Sequence, residues 1–189
     1  PPVATDGEAA NPGPECAETN LRLASANCTS LRTQWDSIRK LMQQHDVVAL
    51  TEVRLSGYGQ RQFARRLRKM GFSVAWGAPK TKSLVDVRTP PGGVAVVARS
   101  TLQPRVVPDT TEEEQVWYAR GRLVHAAVFL GGEVLHVVCA YGLPNSSRNK
   151  QQWIQNEALL QAACGAVAGV GKQPTVLAGD LNVKFDASS

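Results

Sequence analysis

From Leu21 onward, short apolar runs alternate with stretches whose apolar positions recur every three to four residues, the alternation expected of an α/β domain. Leu21 to Ala26 reads as a first strand, with a loop at Asn27 to Ser30. Trp35, Ile38, Leu41 and Met42 then predict an amphipathic helix over Thr33 to Gln44. Val47 to Leu50 is a compact apolar run ending in Thr51-Glu52, and Phe63, Leu67 and Met70 define a second helix stopped by Gly71, with its arginines on the opposite face. Ser73 to Trp76 and Val94 to Ala98 are further strands, joined by a Pro- and Gly-containing loop from Gly77 to Gly93. The strongest local signal is a hairpin, Gly121 to Leu130 and Glu133 to Tyr141 around Gly131-Gly132. A helix from about Gln151 to Ala168 leads into a buried strand, Thr175 to Ala178, that ends at Gly179-Asp180-Leu181-Asn182.

The opening twenty residues break this pattern: rich in Pro, Gly, Ala and acid, without Leu, Ile or aromatics, they cannot bury enough surface to offset their ordering entropy and read as a flexible tail. Residues 21–189 read as one domain, or most of one, and 43% apolar residues suffice for a sizeable core. Val134 to Tyr141 and Ala162 to Val170 are too short to cross a hydrocarbon layer of ~30 Å. The pattern calls for neither a membrane nor an obligate protein partner. Cys16, Cys28, Cys139 and Cys164 lie far apart with no C-x-x-C pair, which suggests no zinc cluster or disulfide framework and a reducing compartment, nuclear or cytoplasmic.

Charge is uneven. The four acidic residues of the tail leave twelve against 21 basic residues in the body, a formal +9. Between Glu52 and Asp86 there is no carboxylate, while Arg54, Arg61, Arg65, Arg66, Arg68, Lys69, Lys80 and Lys82 fall in the gap. Such a stretch attracts polyanions, and it also fits a solvated helix face on a basic protein.

Four strand ends deliver polar groups: Asn27, Glu52, the turn from Tyr141 to Asn145, and Asp180 with Asn182. If the strands lie side by side, these ends converge on one rim. A hard divalent cation favours one or two carboxylates, keeps several waters and leaves positions for phosphate oxygens, a role that suits Glu52. Phosphodiester hydrolysis also needs a positioned water and donors to the phosphoryl oxygens. Asp180 fits the first need; Asn27, Asn145, Asn182 and Tyr141 fit the second. Taken singly, each fits a plain turn, an exposed charge or a packed aromatic equally well.

In chain order, the segments SANCTSL, VVALTEVRL, GGVAVVARS, VVCAYGLPN and VLAGDLNV resemble the endonuclease/exonuclease/phosphatase superfamily, in the exonuclease III-like apurinic/apyrimidinic endonuclease or retrotransposon-type endonuclease branch. The resemblance implies an α/β four-layer sandwich, with two mixed sheets face to face, helices outside, and the second sheet incomplete. It implies Mg²⁺, or Mn²⁺ in its place, held by Glu52 and Asn27. By the same resemblance Asp180 and Asn182 position the attacking water and the phosphate, and Tyr141 and Asn145 belong to the AYxPN-like motif. Arg54, Arg61, Arg65, Lys80 and Lys82 are the candidate substrate contacts.

There are two departures from the pattern. Thr29 stands where some members carry a second acidic residue near the metal. The family's Ser-Asp-His motif is expected beyond Gly-Asp-x-Asn, and none of His45, His125 and His136 replaces it by position, the latter two being expected to have structural roles in the hairpin. The chain is therefore expected to be a C-terminally truncated member with little or no turnover. DNA or RNA is the preferred substrate and partner. The alternatives are a non-catalytic nucleic-acid-binding remnant and a phosphatase of the same fold acting on inositol or lipid phosphates.

Overall fold

In the computed structural model the described residues are 20–79, 92–108, 111–144, 146 and 148–183. The tail read over residues 1–20 falls outside them except for residue 20, and Lys80, Lys82 and Asn145 also lie outside.

The described chain forms eight strands and four α-helices: β1 (Leu23–Asn27), α1 (Trp35–Gln44), β2 (Val47–Thr51), α2 (Gly57–Lys69), β3 (Phe72–Trp76), β4 (Val94–Arg99), β5 (Arg105–Val106), α3 (Glu112–Ala119), β6 (Leu123–Leu130), β7 (Glu133–Tyr141), α4 (Lys150–Gly169) and β8 (Thr175–Asp180). They make two four-stranded sheets, ordered β1-β2-β4-β3 and β5-β6-β7-β8. Both sheets are mixed, because β1 runs parallel to β2 and β7 to β8 while the other pairs are antiparallel.

Three apolar clusters show the layering. Trp35, Ile38 and Met42 of α1 and Leu67 of α2 pack on Val48, Leu50, Ala95 and Val97 of the first sheet. The other face of that sheet, with Val47, Ala49, Val94 and Val96, meets Val124, Ala126, Val137 and Cys139 of the second. Trp117 of α3 and Leu159, Ala163 and Ala166 of α4 cover Leu123, Val138 and Ala140 on the second sheet's outer side. The order is thus helix, sheet, sheet, helix, the four-layer arrangement implied by the sequence resemblance. Because side chains alternate along a strand, β2 and β4, apolar at every position but their last, Thr51 and Arg99, bury both faces.

The sequence reading located α1 and α4 to within two residues and the end of α2, which starts at Gly57, six residues before its first cited apolar position; the hairpin register runs without interruption from Leu123↔Ala140 to Leu130↔Glu133. The sequence reading made no assignment for β5 or α3. Helix α3, EEEQVWYA, opens with three glutamates and lacks a regular apolar face; its start is marked instead by Thr111, whose side chain accepts from the Glu114 N–H. His125 and His136 are buried on the outer face of the hairpin, where His125 Nε2 and His136 Nδ1 are 2.8 Å apart and His136 Nε2 meets Gln173 Oε1. At the rim opposite the polar strand ends, Asp46 pairs with Arg22 at 3.3 Å and Arg99 at 3.0 Å.

Among the described residues no helix is long and apolar enough to cross a membrane. Cys28, Cys139 and Cys164 are free thiols. Burial pushes the Cys28 and Cys139 thiols up to about 12.

Candidate active site

The parity of side chains along the strands builds the site. Leu23 of β1, Val47 and Ala49 of β2, Cys139 of β7, and Val176 and Ala178 of β8 all point into the space between the sheets. Continuing each strand in steps of two brings Asn27, Thr51, Tyr141 and Asp180 to that same face at the strand ends. The register aligns them in pairs, Asn27 opposite Thr51 on the first sheet and Tyr141 opposite Asp180 on the second.

Glu52, one residue past Thr51, would by alternation turn toward the helix layer. Its φ of 54° breaks the alternation, and its carboxylate comes back to accept a hydrogen bond at Oε1 from the Tyr141 hydroxyl. Asn27 Nδ2 donates to Asp180 Oδ2 at 2.9 Å. Two register pairs, two side-chain hydrogen bonds and the peptide link from Thr51 to Glu52 therefore close a circuit Asn27–Thr51–Glu52–Tyr141–Asp180 across the mouth of the sandwich.

Left-handed backbone is concentrated here. Of the described non-glycine residues with positive φ, Thr29, Glu52, Arg54 and Asn182 all follow a strand that ends at this rim. Such conformations cost about 1–3 kcal/mol each and persist where the surroundings over-determine them. Thr29, in the place of the family's second acidic residue, donates its backbone N–H to Asn27 Oδ1 at 3.0 Å and fixes that amide's orientation. The Asn182 N–H donates to Asp180 Oδ1 at 3.1 Å, and its Nδ2 donates to the Gly142 carbonyl at 3.0 Å.

Several participants were not singled out from the sequence. Arg122, at the start of β6, lies 4.4 Å from the centre of the Tyr141 ring and donates to the Gly142 carbonyl at 2.9 Å. Burial lowers its guanidinium from the ordinary arginine range. In sequence it is one more basic residue at a hairpin start, with nothing to reveal the ring beneath it. Buried Asn156 of α4 accepts from the Leu143 N–H and donates to the Leu181 carbonyl, both at 2.9 Å, stapling the two loops that follow β7 and β8. Its signal was available, since it lies three residues before buried Leu159 on the inward face of α4. Ser146 Oγ donates to the Asn182 carbonyl at 2.7 Å.

Tyr141 is pushed up to about 12, first by burial and then by its hydrogen bond to Glu52, so near neutrality it is a phenol that donates. Glu52 also accepts from Arg54 Nη2 at 2.9 Å on Oε2. Among the described residues no group of three or more His, Cys, Asp or Glu forms a metal cage. An ion at this rim would rest on one carboxylate, Glu52, and one amide oxygen, Asn27 Oδ1, with water in the remaining positions. That donor set suits a hard divalent cation of the magnesium type, and each oxygen keeps lone-pair capacity beyond the bond it now accepts.

Of the remaining sequence candidates, Arg61 and Arg65 lie on the exposed face of α2. Arg54 sits within the rim. Arg66, on the same helix but turned toward α1, stacks over Trp35 at 4.1 Å and so serves packing.

The sequence profile of the Endonuclease/Exonuclease/phosphatase family matches residues 24–188, and the chain belongs to that family. No curated protein matches it in sequence at a significant level. Among solved structures it is similar to a 3′-5′ exonuclease (NExo) from Neisseria meningitidis, with TM-score 0.63 and 21% identity over 86% of this chain and 58% of the other. It is also similar to an AP endonuclease from Archaeoglobus fulgidus (TM-score 0.62, 19% identity, 88% of this chain and 59% of the other). A third similar structure is D. rerio TDP2 complexed with a single-strand DNA product (TM-score 0.57, 15% identity, 87% and 62%). The chain thus shares their fold and spans about three fifths of their length.

Proposed function

We propose that this chain carries the metal and phosphate rim of a divalent-metal-dependent phosphodiester hydrolase that acts on nucleic acid. The observation that carries this reading is the closed circuit Asn27–Thr51–Glu52–Tyr141–Asp180, whose two hydrogen bonds draw residues 153 and 89 positions apart in sequence to one mouth of the sandwich.

In this reading Glu52 and Asn27 Oδ1 would hold Mg²⁺ or Mn²⁺, which would supply charge neutralisation at the phosphoryl oxygens. Asp180 orients the attacking water through the carboxylate that Asn27 and the Asn182 N–H now hold in place. The Tyr141 phenol donates toward a phosphoryl oxygen or keeps Glu52 aligned, and Arg122 holds the Tyr141 ring from behind. Asn182, tied to the Gly142 carbonyl, shapes the phosphate side of the mouth; Asn145 is assigned to that side from its place in the motif alone. The +9 body and the exposed arginines of α2 favour a polyanionic substrate over a small phosphoester. Arg54, Arg61, Arg65, Lys80 and Lys82 are the proposed backbone contacts, and residues 21–189 the N-terminal part of the family's domain.

The test is a cleavage assay with Mg²⁺ over abasic, double-stranded and single-stranded DNA, RNA and inositol polyphosphates, on the longest form in which the protein is expressed. Cleavage of a nucleic acid is the expected result. Cleavage of inositol phosphates alone contradicts the substrate class, and binding without cleavage of anything favours a non-catalytic nucleic-acid-binding module.

A further inference from the structure

We infer that Arg54, paired with Glu52 in this structure, is a cationic latch that the entry of a divalent ion would release. The inference rests on the reading of Glu52 as the metal carboxylate and adds a residue that competes with the ion.

The backbone between the two residues is fixed on both sides. The Val53 N–H donates to the Gly93 carbonyl at 3.2 Å, the Arg54 N–H donates to the Gly92 carbonyl at 2.9 Å, and the Val53 carbonyl accepts from the Leu31 N–H at 3.3 Å. Gly93 has φ 95°, and a Cβ there would lie 2.6 Å from Val53 Cγ2, so only glycine lets this loop press so closely on the segment. Held this way, Glu52 and Arg54 both take left-handed backbone, with φ of 54° and 49°. Their side chains close on each other, Arg54 Nη2 on Glu52 Oε2.

The closed state leaves Arg54 under-used. Its Nε is buried with no hydrogen-bond partner among the described residues. A guanidinium has five donors, and a buried one left unpaired is an exception that calls for an explanation. A second arrangement that satisfies this nitrogen supplies one.

Glu52 has its Oε1 under the Tyr141 hydroxyl and its Oε2 under Arg54. Oε1 thus carries a neutral donor and Oε2 a cationic one, so an ion on this carboxylate would be opposed by the charge of Arg54 and not by a lack of lone pairs. Two positive charges added to a carboxylate only 15% exposed would face Arg54 at a few ångströms, and at such partly screened sites like charges repel strongly. Once displaced, the planar fork of Arg54 is free to take two phosphate oxygens, the geometry in which arginine binds best. Ion entry thus prepares a phosphate contact, and ion and nucleic acid bind with positive coupling.

The test is Mn²⁺ titration by calorimetry of the wild-type chain, Arg54→Met, Arg54→Lys and Glu52→Gln, with melting curves for each. Arg54→Met should bind Mn²⁺ roughly 5- to 50-fold more tightly, Arg54→Lys should stay nearer the wild type, and Mn²⁺ should no longer enhance binding of a phosphorylated oligonucleotide to Arg54→Met. In wild-type protein the Arg54 Nε–H resonance should shift on Mg²⁺ addition, which checks the latch should the variant fold poorly. A natively folded Arg54→Met that binds Mn²⁺ no more tightly, or an unmoved resonance with Mg²⁺ bound, overturns the latch and leaves the Glu52 assignment standing. Undiminished Mn²⁺ affinity in Glu52→Gln, or no Mn²⁺ binding by either wild type or Arg54→Met, overturns that assignment and the latch with it.

Discussion

Asn27 Nδ2 donates to Asp180 Oδ2 at 2.9 Å across a sequence separation of 153 positions. Asn27 ends β1 on one sheet and Asp180 ends β8 on the other, so this bond joins the two sheets at the rim where Tyr141 meets Glu52. A side chain that both anchors the proposed water-orienting carboxylate and offers its own oxygen to an ion couples the two halves of the proposed chemistry.

The proposed roles of Glu52 and Asp180 separate by substitution. Glu52→Gln should weaken divalent-metal binding by about 100-fold, since the ion would lose the one carboxylate assigned to it. In the longest expressed form of the protein, the form expected to turn over, Asp180→Asn should lower cleavage by about 10²- to 10⁴-fold while metal and nucleic-acid affinity change little. Calorimetry and single-turnover cleavage, run in parallel on both variants, distinguish these outcomes; equal effects of both variants on metal affinity would contradict the division of labour.

Nucleic-acid affinity should fall linearly with the logarithm of salt concentration. Arg61→Ala and Arg65→Ala should each reduce the steepness of that line by roughly one, as the loss of one phosphate contact does. Fluorescence anisotropy between low and physiological salt reads the slope. Slopes unchanged in both variants would remove the exposed face of α2 from the interface.

Acid should destabilise the fold in two windows. Burial first, and the neighbouring His136 second, lower the His125 pKa from its ordinary 6.5, with Glu114 pulling the other way. The unfolded chain therefore takes up this proton first, and stability present above about 6.5 is lost as pH falls below it. Asp46 is held down to about 2 from an ordinary 3.8, chiefly by hydrogen bonds from Arg22. Its contribution is full above 3.8 and disappears as pH falls toward 2. Melting temperatures measured from pH 7.5 to about 2 should show both losses, and His125→Phe should flatten the first alone.

Gly142 should tolerate no side chain. A Cβ there would lie 2.0 Å from the Leu181 carbonyl oxygen and 2.8 Å from Asn156 Oδ1, both held in the staple between the loops after β7 and β8. Gly142→Ala should cost roughly 2–4 kcal/mol in denaturant unfolding and weaken phosphate binding further by moving Asn182, which donates to the Gly142 carbonyl.

Much of this rim was legible because short apolar runs and their polar ends are local properties. The runs before Asn27, Thr51, Tyr141 and Asp180 reveal the strands, and a polar residue after each marks an end. Contacts set by the third dimension were not legible. Nothing in the Thr51-Glu52-Val53-Arg54 segment announces two left-handed residues, because the constraint comes from Gly92 and Gly93, some forty positions later. Arg122 beneath Tyr141 is hidden for the same reason, and α3 escaped because its start is written in a cap at Thr111 and not in an apolar stripe.

The most direct test of the central claim, that Glu52 and Asp180 serve one ion-centred pocket, is a crystal structure of the Mn²⁺-soaked protein read by anomalous scattering. A single peak about 2.1 Å from a Glu52 carboxylate oxygen, with Asn27 Oδ1 in its shell and the Asp180 carboxylate facing the same water-filled space, is the predicted result. A Mn²⁺ ion bound away from Glu52, or one whose pocket excludes Asp180, would contradict it.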